Sequence, residues 1–91
     1  MPHALFPLGK LYSTPGALAT CESCSMSPAV LLRRHVTGDW SDMSRADQAA
    51  NWRAITEGSR VFAAYQLGAH RLFVITEADR SSTTILLAEE Y

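Results

Sequence analysis

Several side chains in this 91-residue sequence are of the types that cleave a phosphodiester bond without a metal ion. Such a reaction needs a base for the 2′-hydroxyl, an acid for the leaving oxygen and a cation for the pentacoordinate phosphate. Histidine, tyrosine, serine and arginine can fill these parts. The candidates are His35, Tyr65, His70, Arg71, Arg80, Ser81 and Ser82. Because histidines and arginines at a surface are usually just solvated, we hold ribonuclease chemistry as the alternative hypothesis, with His35, His70, Arg71 and Arg80 as its catalytic candidates.

A second candidate is the C-x-x-C pair formed by Cys21 and Cys24. Two such thiols can bind zinc or form a redox couple. A structural zinc site needs four ligands, however, and a redox pair normally sits at the start of a helix, whereas these cysteines are predicted near a helix end. We therefore predict no metal site and no cofactor, and the state of the two thiols stays open.

The polar segment from 75 to 84 separates the last two apolar runs of the chain. Turn chemistry explains much of it, since Asp79 and Ser81 can bond nearby backbone amides and Arg80 can pair with an acidic neighbour. A loop carried on a rigid hairpin is also a common place for binding residues. The residues we predict for binding are Phe73, Glu77, Asp79, Arg80, Ser81 and Ser82.

The elements that must position these side chains are clearest in the C-terminal third. Three apolar runs of strand length follow Gly58, which is typical of an antiparallel meander. Gly68 opens a two-residue break that suits a type II′ hairpin turn. In the first strand Phe62 and Ala64 lie on the face opposite Val61 and Tyr65, and in the second Phe73 and Ile75 lie opposite Leu72 and Val74. Both faces of each strand therefore carry apolar residues. One face therefore requires helices, and the other requires a second cover or a contact surface.

The preceding residues predict two or three helices. Thr14-Pro15 and Ser27-Pro28 are helix-start signals, and Ser44 with Asp47 matches a loose capping box. Four alanines at helical spacing predict a flat face against the sheet: Ala46, Ala49, Ala50 and Ala54. We predict an α+β fold in which two or three N-terminal helices pack on one face of a three- to four-stranded antiparallel meander, with 9–13 as a short edge strand.

Composition limits the function classes. With 47% hydrophobic and 19% charged residues, the chain fits one small domain over 1–91, in which 1–8 form a flexible lead-in. The net charge of -1 argues against binding of nucleic acid mainly through bulk positive charge, although it is compatible with a local basic patch. No apolar run approaches the roughly 20 residues that span a bilayer. We expect a cytoplasmic location and no membrane partner.

Two resemblances bear on function. At the level of architecture, helices followed by an antiparallel meander resemble the RelE and barnase-like ribonucleases. More specifically, residues 35–40, 74–84 (VITEADRSSTT) and 86–91 (LLAEEY) resemble a family of small uncharacterised proteins carried on bacterial plasmids and integrative conjugative elements. That family has no established activity, and its C-terminal motif is specific. The resemblance implies a mobile-element origin and, by genomic analogy, an inhibitor of a host defence complex such as an anti-CRISPR or anti-restriction protein.

Two function classes follow. The first is a non-enzymatic protein-binding module that contacts a host complex through the outer sheet face and the Asp79 loop. The second is a RelE or barnase-like ribonuclease toxin. A sheet that is apolar on both faces also permits a homodimer, so the protein partner is either a host complex or a second copy of the chain.

Overall fold

The computed structural model describes residues 3–91. In chain order the elements are β1 Lys10–Ser13, α1 Pro15–Ser23, α2 Pro28–Val36, α3 Arg45–Glu57, β2 Val61–Leu67, β3 His70–Thr76, β4 Ser82–Leu87 and one 3-10 turn, Ala88–Glu90. The predicted α+β class is confirmed: three N-terminal helices pack on a four-stranded, mostly antiparallel sheet. None of the helices within residues 3–91 is long and apolar enough to cross a membrane.

The sheet has the strand order β1-β4-β3-β2. Strands β2, β3 and β4 form the predicted antiparallel meander, and β1 lies beside β4 in parallel. The turn between β2 and β3 consists of Gly68 and Ala69. Only Gly68, at the first central position, has a positive φ, +57°, as a type II′ turn requires. The parallel pairing of β1 with β4 was not predicted, because the chain between these strands runs through all three helices and through β2 and β3.

The core lies between the sheet and the helices. Alternation in β2 and β3 is as predicted, and every second side chain is buried on the helix-facing side. The largest fully buried side chains include Trp40, Tyr65, Leu31, Leu72 and Ile85. Trp40 packs edge-on against Trp52 of α3 at a centroid distance of 5.3 Å. The linker between α2 and α3 thus fills space between the two layers.

The helix termini follow local capping chemistry. The hydroxyls of Thr14, Ser27 and Ser44 each accept a bond from a backbone amide in the first turn of the helix that follows. Gly58 ends α3 with a φ of +75°. These are the start and stop signals of the sequence, and they act where they were predicted.

The rotation of α3 differs from the prediction. Ala54 is buried, but Ala46, Ala49 and Ala50 are exposed, so the alanine stripe does not face the sheet. Asn51 is buried instead, and its side-chain amide bonds both the N–H and the C=O of Phe62 at 3.0 and 2.9 Å. Phe62 lies on β2, an edge strand, and these two groups point away from β3. The helix is therefore oriented by polar contacts that satisfy the strand edge.

Replacing Asn51 with leucine is expected to lower the free energy of unfolding by about 2 to 4 kcal/mol, because two backbone groups lose their partners beneath α3. Urea denaturation measures the change. Gln48→Leu is the matched control on the same helix, since the half-buried Gln48 donates only one bond, to the carbonyl of Met43. Equal losses for the two variants would contradict a special role for Asn51.

Residues 5–8 belong to the body of the molecule rather than to a loose lead-in. Phe6 is buried, the amide of Leu5 donates to the carbonyl of Val36 at 2.8 Å, and the carbonyl of Leu8 accepts a bond from Thr83. The sequence led us to expect a flexible segment over 1–8 because each of these contacts joins residues far apart in the chain. Residues 1 and 2 of the predicted lead-in lie outside the described residues.

Candidate binding surface

His35, the first catalytic candidate, is 0% exposed beneath the sheet. Its Nε2 lies 2.9 Å from the Thr76 hydroxyl, which lies 2.6 Å from the Thr83 hydroxyl, which in turn is 2.7 Å from the carbonyl oxygen of Leu8. The carbonyl can only accept, so Thr83 donates to it. Thr76 must then donate to Thr83, and His35 Nε2 must donate to Thr76. The directions of three hydrogen bonds thus assign the tautomer of the ring.

The relay thus requires a proton on Nε2, and burial of the ring favours the neutral form, in which Nδ1 carries none. Burial lowers the pKa of His35 to about 4. Its Nδ1 is a buried acceptor with no partner within residues 3–91. This relay ties α2, β3, β4 and the N-terminal segment together, and it leaves His35 without access to any substrate.

The remaining catalytic candidates do not join His35. His70 and Arg71 begin β3, whereas His35 contacts Thr76 at its far end, about 20 Å away at roughly 3.3 Å per residue. Arg80 is at the same end as His35, but the ring of Phe6 lies between them, 5.6 Å from the guanidinium and 5.1 Å from the imidazole. The structure brings together no base, acid and cation from this set.

The hydroxyl of Tyr65 also has a structural partner. It is 0% exposed, and its hydroxyl donates to the carbonyl oxygen of Asp39 at 2.9 Å. Burial raises its pKa well above the usual range. Arg34 lies over the Tyr65 ring at 4.6 Å and pairs with the Asp39 carboxylate at 2.9 Å, which lowers the pKa of Asp39. Tyr65 therefore anchors the linker after α2.

The two cysteines are free thiols. Cys21 is buried, and burial raises its pKa, with the neighbouring Cys24 adding to the effect. A raised pKa disfavours the thiolate that redox chemistry and metal binding need. Within residues 3–91 no three histidine, cysteine, aspartate or glutamate side chains converge as a metal site would require.

The predicted recognition loop is largely structural at its centre. Arg80 has a φ of +60°, and its guanidinium turns inward to donate to the carbonyls of Ala54 and Glu77, among others. Such contacts cap the C-terminal end of α3. The carbonyl of Ser81 accepts from the amide of Lys10, and Ser82 begins β4 beside that residue. The centre of the loop therefore holds α3, β1 and β4 together.

Two acidic residues of the predicted binding set remain on the surface. Asp79 is exposed and accepts from the amide of Ser81, and hydrogen bonds from Ser81 lower its pKa. Glu77 lies 3.7 Å from the guanidinium of Arg60, and both side chains are about half exposed. Glu77 continues the alternation of Phe73 and Ile75 and therefore borders the sheet face that carries Phe73.

That face is the side of the sheet opposite the core. It carries Phe62, Ala64, Phe73, Ile75, Thr84 and Leu86, with Gln66 and Arg71 towards the hairpin turn between β2 and β3. We call it the outer face. Register places Thr84 beside Ile75 and Ile75 beside Phe62, and Tyr12 of β1 extends this row. Apart from Thr84, the central rows of the outer face are thus apolar, and polar residues such as Lys10 and Gln66 lie at its ends.

Three aromatic rings form its centre. Phe62 and Phe73 lie 4.7 Å apart, and Tyr91 packs edge-on against them at 5.3 and 5.7 Å. We call these three residues the aromatic triad. Tyr91 is 65% exposed. Phe62 and Phe73 are partly buried, so the chain turns back over its own sheet and leaves mainly the ring of Tyr91 open to solvent. An exposed aromatic ring on an apolar sheet face is typical of a contact site.

A groove of about 330 Å³ opens where the outer face meets α3. Its floor is Phe62, Ala64 and Phe73. Met43, Asp47 and Arg71 are among the side chains around it. Within residues 3–91 the carboxylate of Asp47 and the guanidinium of Arg71 make no ion pair. The groove therefore combines an apolar floor with one unpaired charge of each sign.

No known protein-family model matches this chain, and neither a curated protein nor a solved structure is significantly similar to it. The surface must therefore be interpreted from its own chemistry.

Sequence reasoning identified part of this surface. Phe73 and Glu77 were predicted for binding, and Arg71 was singled out for a different role. Asp47 and Tyr91 were missed as surface residues, because only the folded chain brings α3 and the last residues to the same face as Phe73. The signal available in the sequence was that β2 and β3 carry apolar residues on both faces, although the helices can cover only one.

Proposed function

We propose that this protein is a non-enzymatic protein-binding module of a bacterial mobile element that inhibits a host defence complex, of the CRISPR or restriction type. The observation that carries the proposal is the outer face, at whose centre Tyr91 is 65% exposed and packs on the partly buried Phe62 and Phe73. Aromatic side chains that remain partly exposed on a rigid support are the usual anchors of protein interfaces. The defence complex as the target rests on the resemblance to mobile-element proteins.

The surroundings of the triad support a contact surface rather than a reaction centre. The ion pair of Arg60 with Glu77 and the carboxylate of Asp79 lie at one end, and Arg71 and Asp47 lie at the other. Charged groups around an apolar centre form the polar rim that fixes partner and orientation. By contrast, His35 of α2 is buried against Thr76 at one end of β3, and His70 begins the strand at the other end.

The proposal is tested by capture with matched variants. Immobilised wild-type protein should retain a defence complex from lysate of a bacterium that carries one, and the purified complex should then bind it stoichiometrically. Tyr91→Glu should weaken that binding at least about tenfold, because it places a charge on the triad. Leu18→Glu is the control, since Leu18 is 48% exposed on α1, away from the outer face.

Three outcomes would overturn the proposal. The first is that no defence complex is retained above the bead background. The second is an equal loss of binding for Tyr91→Glu and Leu18→Glu, which would place the contact elsewhere. The third is RNA degradation on expression that His70→Ala abolishes, since turnover of RNA would make the protein an enzyme. The proposal also predicts that expression of the protein in cells raises the survival of a plasmid that the defence complex attacks.

A further inference from the structure

We propose that the groove beside α3 binds an extended segment of the partner in which one large apolar side chain lies between an acidic and a basic residue. This inference rests on the proposed function and names the chemistry of the segment that the groove accepts. The apolar side chain would fill the floor, the acidic residue would pair with Arg71, and the basic residue would pair with Asp47.

The floor supplies the apolar part of the site. Phe62 and Phe73 hold each other at 4.7 Å, and the backbone of Phe62 is fixed by both hydrogen bonds from Asn51. The floor is therefore held in place before a ligand arrives, which reduces the entropy lost on binding. Met43 forms an adaptable wall, since its thioether side chain can adjust to apolar groups of different shape.

The charges supply the specificity. Arg71 and Asp47 are exposed, and neither makes an ion pair within residues 3–91. By contrast, Arg60 near the other end of β2 is already matched by Glu77 at 3.7 Å. An unpaired charge of each sign at one apolar groove is complementary to a segment that carries both signs.

The groove fits a foreign segment better than a second copy of this chain. The acidic and aromatic residues 89–91 are already engaged within the chain, since Glu90 accepts bonds from Thr14 and from the amide of Leu87. Tyr91 is packed on the triad. The groove also shares Phe62 and Phe73 with the outer face, so a segment bound there continues directly into the proposed interface.

Capped tripeptides test the groove without the partner. The probes are acetyl-Glu-Leu-Lys-amide and acetyl-Lys-Leu-Glu-amide, with acetyl-Gln-Leu-Gln-amide and acetyl-Glu-Gly-Lys-amide as controls. One charged leucine probe should shift the amide resonances of Phe62 and Phe73 at millimolar concentration. Removal of both charges should weaken binding about two- to fivefold for each exposed ion pair lost. The glycine probe should not bind measurably.

Charge reversal separates pairing from simple contact. Arg71→Glu should weaken the charged leucine probe and strengthen acetyl-Lys-Leu-Lys-amide, and the double variant Asp47→Lys with Arg71→Glu should again prefer a probe of mixed charge. Arg71 and Asp47 are exposed, so these variants are expected to fold.

Several results would overturn the inference. They are equal binding of charged and neutral leucine probes, no shift at the groove with any probe, or shifts that grow with protein concentration alone and so report a second copy. If these occur while the defence complex is still captured, the proposed function stands without this groove chemistry. If the probes bind as expected but no complex is captured, the groove stands and the proposed function fails.

Discussion

Replacing Gly9 with alanine is expected to lower the free energy of unfolding by about 3 kcal/mol or more. Gly9 has a φ of +67°, and a Cβ atom there would collide with the carbonyl groups of Arg80 and Ser81. The loop cannot withdraw freely, because the Ser81 carbonyl accepts from Lys10 at the start of the parallel pairing. Left-handed backbone strain and forced overpacking therefore add.

Gly58→Ala is the matched control for this effect. Gly58 also has a positive φ, +75°, but a Cβ there would meet nothing within 4 Å. Its substitution should cost only about 1 kcal/mol, from the left-handed conformation alone. Urea denaturation of both variants measures the difference. If Gly58→Ala costs as much as Gly9→Ala, close packing of Gly9 against the loop is not what stabilises this region.

Acid is expected to destabilise the protein through His35 by about 3 kcal/mol in total. The pKa of the ring falls from 6.5 to about 4 on folding because the ring is buried. The folded state therefore binds fewer protons than the unfolded state between these values. Stability from His35 is fully present above pH 6.5 and is lost as the pH falls towards 4, with a slope of up to about 1.4 kcal/mol per pH unit.

The relay explains why protonation is so unfavourable. Nε2 already donates to Thr76, so an added proton must go to Nδ1, which has no acceptor nearby within residues 3–91. The charge would then lie in a buried site beside Phe6 with nothing to compensate it. An unpartnered Nδ1 is therefore tolerated only in the neutral ring.

The measurement is the free energy of unfolding between about pH 7 and pH 4 for wild type and two variants. His35→Leu should be less stable near neutral pH, since Thr76 loses a partner, but its dependence on pH over this range should be much smaller. His70→Gln should keep the wild-type slope, because His70 is exposed at the start of β3. A slope that survives in His35→Leu would assign the acid sensitivity to other groups.

Much of the fold could be predicted from the sequence because the relevant signals are local. A hydroxyl at position 14, 27 or 44 reaches the first turn of its own helix, and Gly58 ends α3 by its own backbone conformation. Strand alternation likewise assigns side chains to faces over a few residues. The α+β class, three helices and the meander follow from such short-range rules.

The candidate site could be predicted only in part. Alternation showed that both sheet faces carry apolar residues, and one of them therefore required a second cover or a contact surface. It did not show that Arg80 turns inward to the end of α3, or that Tyr91 returns over the two phenylalanines. Both facts depend on where separate elements meet.

The roles of the chemically attractive residues were settled by contacts between distant parts of the chain. His35 bonds to a threonine 41 positions away, and Thr83 bonds to a carbonyl 75 positions away. The rotation of α3 was decided by Asn51 rather than by the alanine stripe. Leaving the edge groups of β2 unpaired would cost more free energy than a flat apolar contact would contribute. Local sequence rules carry no information about such pairings. They depend on which buried polar groups the assembled layers leave to be satisfied.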